Sequence, residues 1–270
     1  MARSDLVFFF SLAASPATVP TPETFGGRAE VVTSERWGGW EKSLVVTLPQ
    51  PTRILSTNEG FLEAELVVNH GAQPSVWTRA FEQLSEGSVS GGDAYLAEVE
   101  ARLADARGVD VSRIAVTGTA VDLDHLAVVT ERGGPFVVTA LVTAGARTNA
   151  HRAGTDEGRH IEAAGTVNIL VTINARLADA AMLNVVMLAT EAKAAAMQDL
   201  QVPSSYTPAA VATGTGTDSV IVIPAGEGPW VPYAGGHAKV GELVAKATHR
   251  AVLEALVAQG GYARPSLPQQ

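Results

Sequence analysis

Thr166-Val167-Asn168-Ile169-Leu170-Val171-Thr172-Ile173-Asn174, followed shortly by the run from Leu177 to Leu200, decides the fold of this chain. The first stretch is dominated by β-branched residues, which fit a pleated, buried surface, so it reads as a strand over 166–174. The second is rich in alanine, leucine and methionine and predicts the longest helix of the chain over 177–200. From Ala180 to Thr190 that helix carries no charge and is apolar on most faces. Such a helix is usually buried, and a buried strand leading into a buried helix calls for a layered domain. Glu191 follows directly on this apolar run, where burial of an unpaired carboxylate costs roughly several kcal/mol unless something compensates.

Upstream, short β-branched or alternating segments at 28–34, 43–48, 53–57 and 64–69 read as a meander. Trp37-Gly38-Gly39-Trp40 and Pro49-Gln50-Pro51 punctuate them as turns. Asp93 reads as the N-cap of a helix to about Ala106, with Leu96, Val99 and Leu103 on one face and Gly108 as its stop. Strands resume at 114–117, 126–130 and 136–143, the last two joined by Arg132-Gly133-Gly134-Pro135 as a hairpin. A polar stretch over 145–163, which includes Arg147, His151, Asp156 and His160, reads as a surface loop. Residues 219–223 form another strand, and 238–259 close the chain with an amphipathic helix. The sum is an α+β domain, a layered sandwich with a mixed, largely antiparallel sheet and a few long helices.

At 270 residues and 46% hydrophobic content the chain can bury the core of one large domain, spanning 1–270 with an N-terminal extension of uncertain boundary over 1–27. A net charge of −9 argues against nucleic acid, whose binders displace counterions with a basic surface. The absence of cysteine removes disulfides, thiolate nucleophiles and Cys-bearing zinc sites. Arg3 and the apolar residues 6–14 have the outline of a signal peptide. Asp5 and the shortness of the run favour a first strand instead. No membrane partner is expected, since no uninterrupted apolar run reaches the ~20 residues of a span, and the expected location is the cytoplasm.

Candidate chemistry concentrates after the decisive strand. Glu191 and Asn184, seven residues apart, share one stripe of the long helix, and Lys193 points to nearly the opposite side. Glu191 is either a general base raised by burial or a structural carboxylate, and Lys193 either a ligand contact or a solvent-facing charge. Gly214-Thr215-Gly216-Thr217-Asp218-Ser219 is either a ligand-cradling loop or a plain glycine turn. It lacks the complete dinucleotide or Walker pattern, so it is no sign of ATP or NAD. Asn69-His70 closes a strand, where His70 is an acid/base candidate or a structural histidine. His237, in an irregular turn after Tyr233-Ala234-Gly235-Gly236, is the best of the remaining histidines. No His-x-x-x-His pair is present, so no metal site is assigned.

The chain resembles the adenosylcobinamide amidohydrolases of corrinoid salvage from about Ile54 to Leu256. The resemblance is carried by Ile54-Leu55-Ser56-Thr57-Asn58, Val67-Val68-Asn69-His70, Ala164-Gly165-Thr166-Val167-Asn168-Ile169, Asp179-Ala180-Ala181, Thr190-Glu191-Ala192-Lys193-Ala194 and Gly214-Thr215-Gly216-Thr217-Asp218-Ser219-Val220, in that order. It implies hydrolysis of the amide between the aminopropanol arm and the corrin ring, giving adenosylcobyric acid, with the corrinoid as substrate and no separate cofactor. No Gly-x-Ser-x-Gly elbow is present. For that reaction Glu191 or Asp218 would be the base and His70 would assist the leaving amine. Asn168 and the 214–217 backbone would polarise the carbonyl, with Asn69, Thr215, Thr217, Lys193 and His237 contacting substrate. Trp37, Trp40, Trp77, Phe81, Trp230 and Tyr233 are candidate walls for a corrin pocket. Two other readings stay open: a non-catalytic corrinoid-binding protein, and an acyl-transfer enzyme using Thr166 or Thr215. A homodimer is the default assembly.

Overall fold

The computed structural model describes residues 17–19, 26–158 and 164–263. The first half runs β1 (Ala17–Thr18), β2 (Arg28–Arg36), β3 (Gly39–Ser56), β4 (Gly60–Ala72), α1 (Pro74–Leu84), α2 (Gly91–Arg107) and β5 (Ile114–Thr119). It continues through β6 (Ala127–Gly133), β7 (Phe136–Ala144), β8 (Ala150–His151), β9 (Val167–Ile173) and β10 (Arg176–Leu177). The remainder is α3 (Asp179–Asp199), β11 (Gly214–Thr215), β12 (Ser219–Pro224), β13 (Trp230–Val231) and α4 (Lys239–Ala258). The expected first strand over 6–14, and Arg159 and His160 of the polar stretch, lie outside the described residues.

Nine strands form one mixed sheet, as the α+β reading expects. The path β1-β2-β3-β12-β9-β7-β6 is joined by β4 on β3 and β5 on β4. Only β4–β5 and β9–β12 pair in parallel within it. The period of two then sorts the side chains into layers. In β9, Val167, Ile169, Val171 and Ile173 face α3 and α4, whereas Leu170 faces a second apolar layer shared with Val67 of β4 and Ala115 of β5. On the far side of that half, Leu66, Val68, Ile114 and Val116 pack against Val76, Ala80, Tyr95 and Val99 of α1 and α2. The order of layers is therefore helix pair, strands, strands, helix pair. The inner faces of the two strand layers meet across that second apolar layer, with buried polar side chains on the same strands beside it.

Several elements differ from their sequence reading. Pro49-Gln50-Pro51 does not separate two strands. It lies in the 18-residue β3, whose pairing with β4 shifts register between Thr47 and Thr52. Irregular pairing at that point tolerates residues that cannot donate to a ladder. The helix assigned to Asp93 starts earlier: Ser90 is its N-cap, accepting from the Asp93 N–H, while Gly108 stops it at φ 65° as expected. Helix α1, not anticipated, opens on Pro74, whose fixed φ suits a first helical turn. The polar stretch, as far as it is described, is not a detached surface loop. Asn149 and Ala150 are fully buried, and β8 pairs with β11. Helix α3 meets the length and apolar content of a membrane span, yet it packs on α4 and carries the buried Lys193 inward.

Candidate active site

Strand register places polar side chains in two facing rungs. Thr143 of β7, Asn168 of β9 and Ser219 of β12 are direct cross-strand neighbours, and in the other half Asn69 of β4 neighbours Thr117 of β5. All five are buried, so each needs partners, and it finds them across the layers. Asn69 Nδ2 donates to Thr143 Oγ1 at 2.9 Å, and Asn168 Nδ2 donates to Asn69 Oδ1 at 3.0 Å and to the Gly118 carbonyl at 2.9 Å. The Thr117 and Ser219 hydroxyls share a 2.6 Å hydrogen bond. Asn168 Oδ1 accepts from Ser219 Oγ at 3.2 Å, and Thr166 Oγ1 lies at the same distance from it.

The 214–219 loop closes the end of this rung. Asp218 gathers four donors: the Val167 N–H on Oδ1 and the Thr215 N–H on Oδ2, both at 2.9 Å, with the Thr215 hydroxyl on Oδ1 and the Lys193 ammonium on Oδ2. A carboxylate offers about four lone-pair positions, so Asp218 is saturated. Lys193 reaches it from α3, its side chain 9% exposed and that of Asp218 12%. The solvent-facing reading of Lys193 is thereby corrected: its angular position on α3 points it at the loop. Gly214 leaves the room for this contact, since a methyl group there would lie 2.6 Å from Lys193 Nζ. Thr217 and Gly216 form the exposed tip of the loop, and the Thr217 hydroxyl donates to the Gly165 carbonyl at 3.1 Å. Thr166 donates to the Thr217 carbonyl at 2.8 Å, which ties the tip to the start of β9.

Of the residues expected from sequence, Asn69, Asn168, Lys193, Thr215, Thr217 and Asp218 therefore form one connected cluster. Glu191 does not join it. The side chain is exposed on the outer stripe of α3, so the burial that was to make it a poised base is absent. His237 is exposed in the loop before α4. His70 follows Asn69 in a strand and so faces the opposite side, away from the Asn168 rung and toward α2. Thr117, Thr143 and Ser219 were not singled out as site residues. The legible signal was a polar residue near the end of each apolar strand.

Around His70 lies a second buried network. Its Nδ1 is 2.8 Å from Ser43 Oγ and its Nε2 2.8 Å from the Tyr95 hydroxyl. That hydroxyl donates to Glu41 Oε1 at 2.5 Å, so Nε2 carries the imidazole proton and Nδ1 accepts from Ser43. Arg102 holds both oxygens of Glu41 at 3.0 Å. Burial pushes His70 down to about 4, against the opposing pull of Glu41, so the ring is neutral near pH 7. Burial alone would raise Glu41, but hydrogen bonds from Arg102 and Tyr95 outweigh it and carry the carboxyl to about 2. Glu41 lies just before the segment read as a strand over 43–48 and was not singled out from the sequence.

One comparison with known proteins assigns a family. The family model for adenosylcobinamide amidohydrolase matches residues 28–264. The chain belongs to the adenosylcobinamide amidohydrolase family. It is 36% identical over 235 residues to an uncharacterised protein of Methanocaldococcus jannaschii, covering 81% of this chain and 87% of that one. A protein of Pyrococcus horikoshii OT3 with a crystal structure aligns over 91% of this chain and 90% of its own, at 13% identity and a TM-score of 0.41, a loose likeness. The Asn69–Asn168–Asp218–Lys193 cluster is a largely buried polar constellation that reaches the exposed tip of the 214–219 loop. Among the described residues no three His, Cys, Asp or Glu side chains gather as metal ligands.

Proposed function

We propose that the protein hydrolyses, in the cytoplasm, the amide joining the aminopropanol arm to the corrin ring of adenosylcobinamide, releasing adenosylcobyric acid for cobalamin salvage. The observation that carries this reading is the Lys193–Asp218 pair, nearly buried yet beside the exposed 216–217 tip, in a chain of that family. Water adds to the amide carbonyl, the C–N bond breaks, and the proton from water leaves with the amine. An ammonium has three donors and Asp218 uses one, so Lys193 has capacity left for the carbonyl oxygen as it becomes negative. Asp218 orients the ammonium and the Thr215 hydroxyl, and the Asn69–Asn168 rung holds the loop in place. Saturation of Asp218 favours this positioning role over that of a free base.

The test is incubation of purified protein with adenosylcobinamide and mass spectrometry of the corrinoid products. Adenosylcobyric acid from the wild type, and its loss by about 10²–10³-fold in Lys193→Met, is the expected result. Corrinoid that binds without losing aminopropanol would favour the non-catalytic binding protein. A second reading is favoured by one contact, the Thr215 hydroxyl on Asp218, the arrangement of a nucleophile beside its base. Under that reading the acyl group passes through Thr215, and rapid quenching with substrate leaves an adduct on the intact 28.0 kDa chain.

A further inference from the structure

Leu183 and Met187 on α3, and Trp230 and Tyr233 in the segment before α4, are large apolar side chains between 51% and 59% exposed. The two elements that carry them are adjacent. Leu177 pairs with Val231, the Ala234 N–H donates to Asn184 Oδ1 at 3.3 Å, and a methyl at Gly236 would touch Leu188. The segment 230–237 therefore runs along one flank of α3, from its start toward Glu191. Helix geometry fixes the other flank. At roughly 100° per residue, Leu183, Met187 and Thr190 share the outward stripe, and Lys193 stands to its far side, about 60° from Thr190, about 80° from Leu183 and about 120° from Met187. A shelf some two turns long thus lies between the aromatic segment and the Lys193–Asp218 pair.

We propose that this shelf seats the corrin ring, an inference that rests on the hydrolase reading above. A corrin is broad and largely apolar on its faces, and an alkylated cobalt(III) corrin is a net cation. The shelf is uncharged along Leu183 and Met187 and meets Glu191 and His237, both exposed, at its end, within a chain of net charge −9. This gives apolar contact beneath the ring and charge complementarity at its edge. It also gives work to Glu191 and His237, which the buried cluster leaves out. The ring on the shelf would place a peripheral amide toward the Lys193 flank.

The experiment compares wild type with Met187→Lys and with Trp230→Ala/Tyr233→Ala, reading adenosylcobinamide binding by quenching of tryptophan fluorescence and turnover by product formation. Thermal melting checks that these exposed substitutions leave the fold intact. The expected result is KM and Kd raised about tenfold or more with kcat within about twofold, the signature of lost ground-state contact. Wild-type turnover with KM and Kd unchanged in the variants overturns the shelf and leaves the hydrolase reading standing. Wild-type binding without hydrolysis, lost in the variants, overturns the hydrolase reading and keeps the shelf. No binding and no turnover overturns both. A wild-type dimer that Met187→Lys dissociates, with KM unchanged, assigns the face to a second copy and overturns the inference.

Discussion

The Lys193 ammonium rests on the Asp218 carboxylate directly over Gly214, and the glycine is what allows it. A cation from the C-terminal half of the long helix, an anion from a loop 25 residues later and a missing side chain between them make a single contact. Partial burial strengthens such a pair and raises the cost of removing either partner.

Gly214→Ala should separate the pair. The added methyl would stand 2.6 Å from Lys193 Nζ, closer than packing permits, so either the lysine or the loop must shift. Overpacking of this kind costs about 1–3 kcal/mol. We expect a melting temperature lower by a few degrees and turnover lower by at least tenfold, read on the same preparation. Wild-type turnover in this variant would show that the contact is dispensable.

Asn168→Ala tests whether the facing rungs hold the two strand layers together. It would leave Asn69 Oδ1 without its donor and remove the side-chain donor to the Gly118 carbonyl, while the Thr166 hydroxyl keeps the Thr217 carbonyl and the Ser219 hydroxyl keeps Thr117. Each buried orphan costs about 1–3 kcal/mol, so a loss of roughly 3 kcal/mol or more in urea unfolding is expected. A loss below ~1 kcal/mol would mean that water replaces the side chain.

His70 makes stability fall on the acid side. Its folded pKa is depressed to about 4, so the unfolded chain takes up a proton that the folded chain refuses as pH drops below 6.5. The contribution is fully present above pH 6.5 and gone by about pH 4, on the order of 3 kcal/mol. Glu41 adds a second loss, present above 4.5 and removed toward about 2. Urea midpoints measured between pH 7 and 4 should slope downward, and His70→Asn should flatten that slope while lowering stability throughout. A wild-type profile flat over this interval would falsify the buried neutral ring.

Glu191→Gln separates recognition from chemistry. The side chain is exposed, so the fold should stay within ~0.5 kcal/mol of wild type. With the charge at the edge of the shelf removed, KM should rise about threefold at low salt and converge on wild type at high salt, with kcat held. A collapse of kcat would instead return Glu191 to the role of base.

The sequence by itself determined the layers. Period-two strands, an uncharged helix over 180–190 and an amphipathic closing helix dictate which faces are buried, because apolar periodicity is a local property. It also marked Asn69, Asn168, Lys193, Thr215, Thr217 and Asp218 as polar residues in apolar or glycine-rich settings. Only the tertiary structure decided which of them meet. The Asn69–Asn168 contact depends on two strand layers folding face to face, and Lys193 rather than Glu191 turns inward because packing against the sheet and α4 fixes the rotation of α3. A nearly uniform apolar helix does not state that rotation in its own sequence. His70 was misplaced for a related reason: one residue along a strand exchanges the interior of the sandwich for the side of α2, and only the assembled sheet shows which side holds the site.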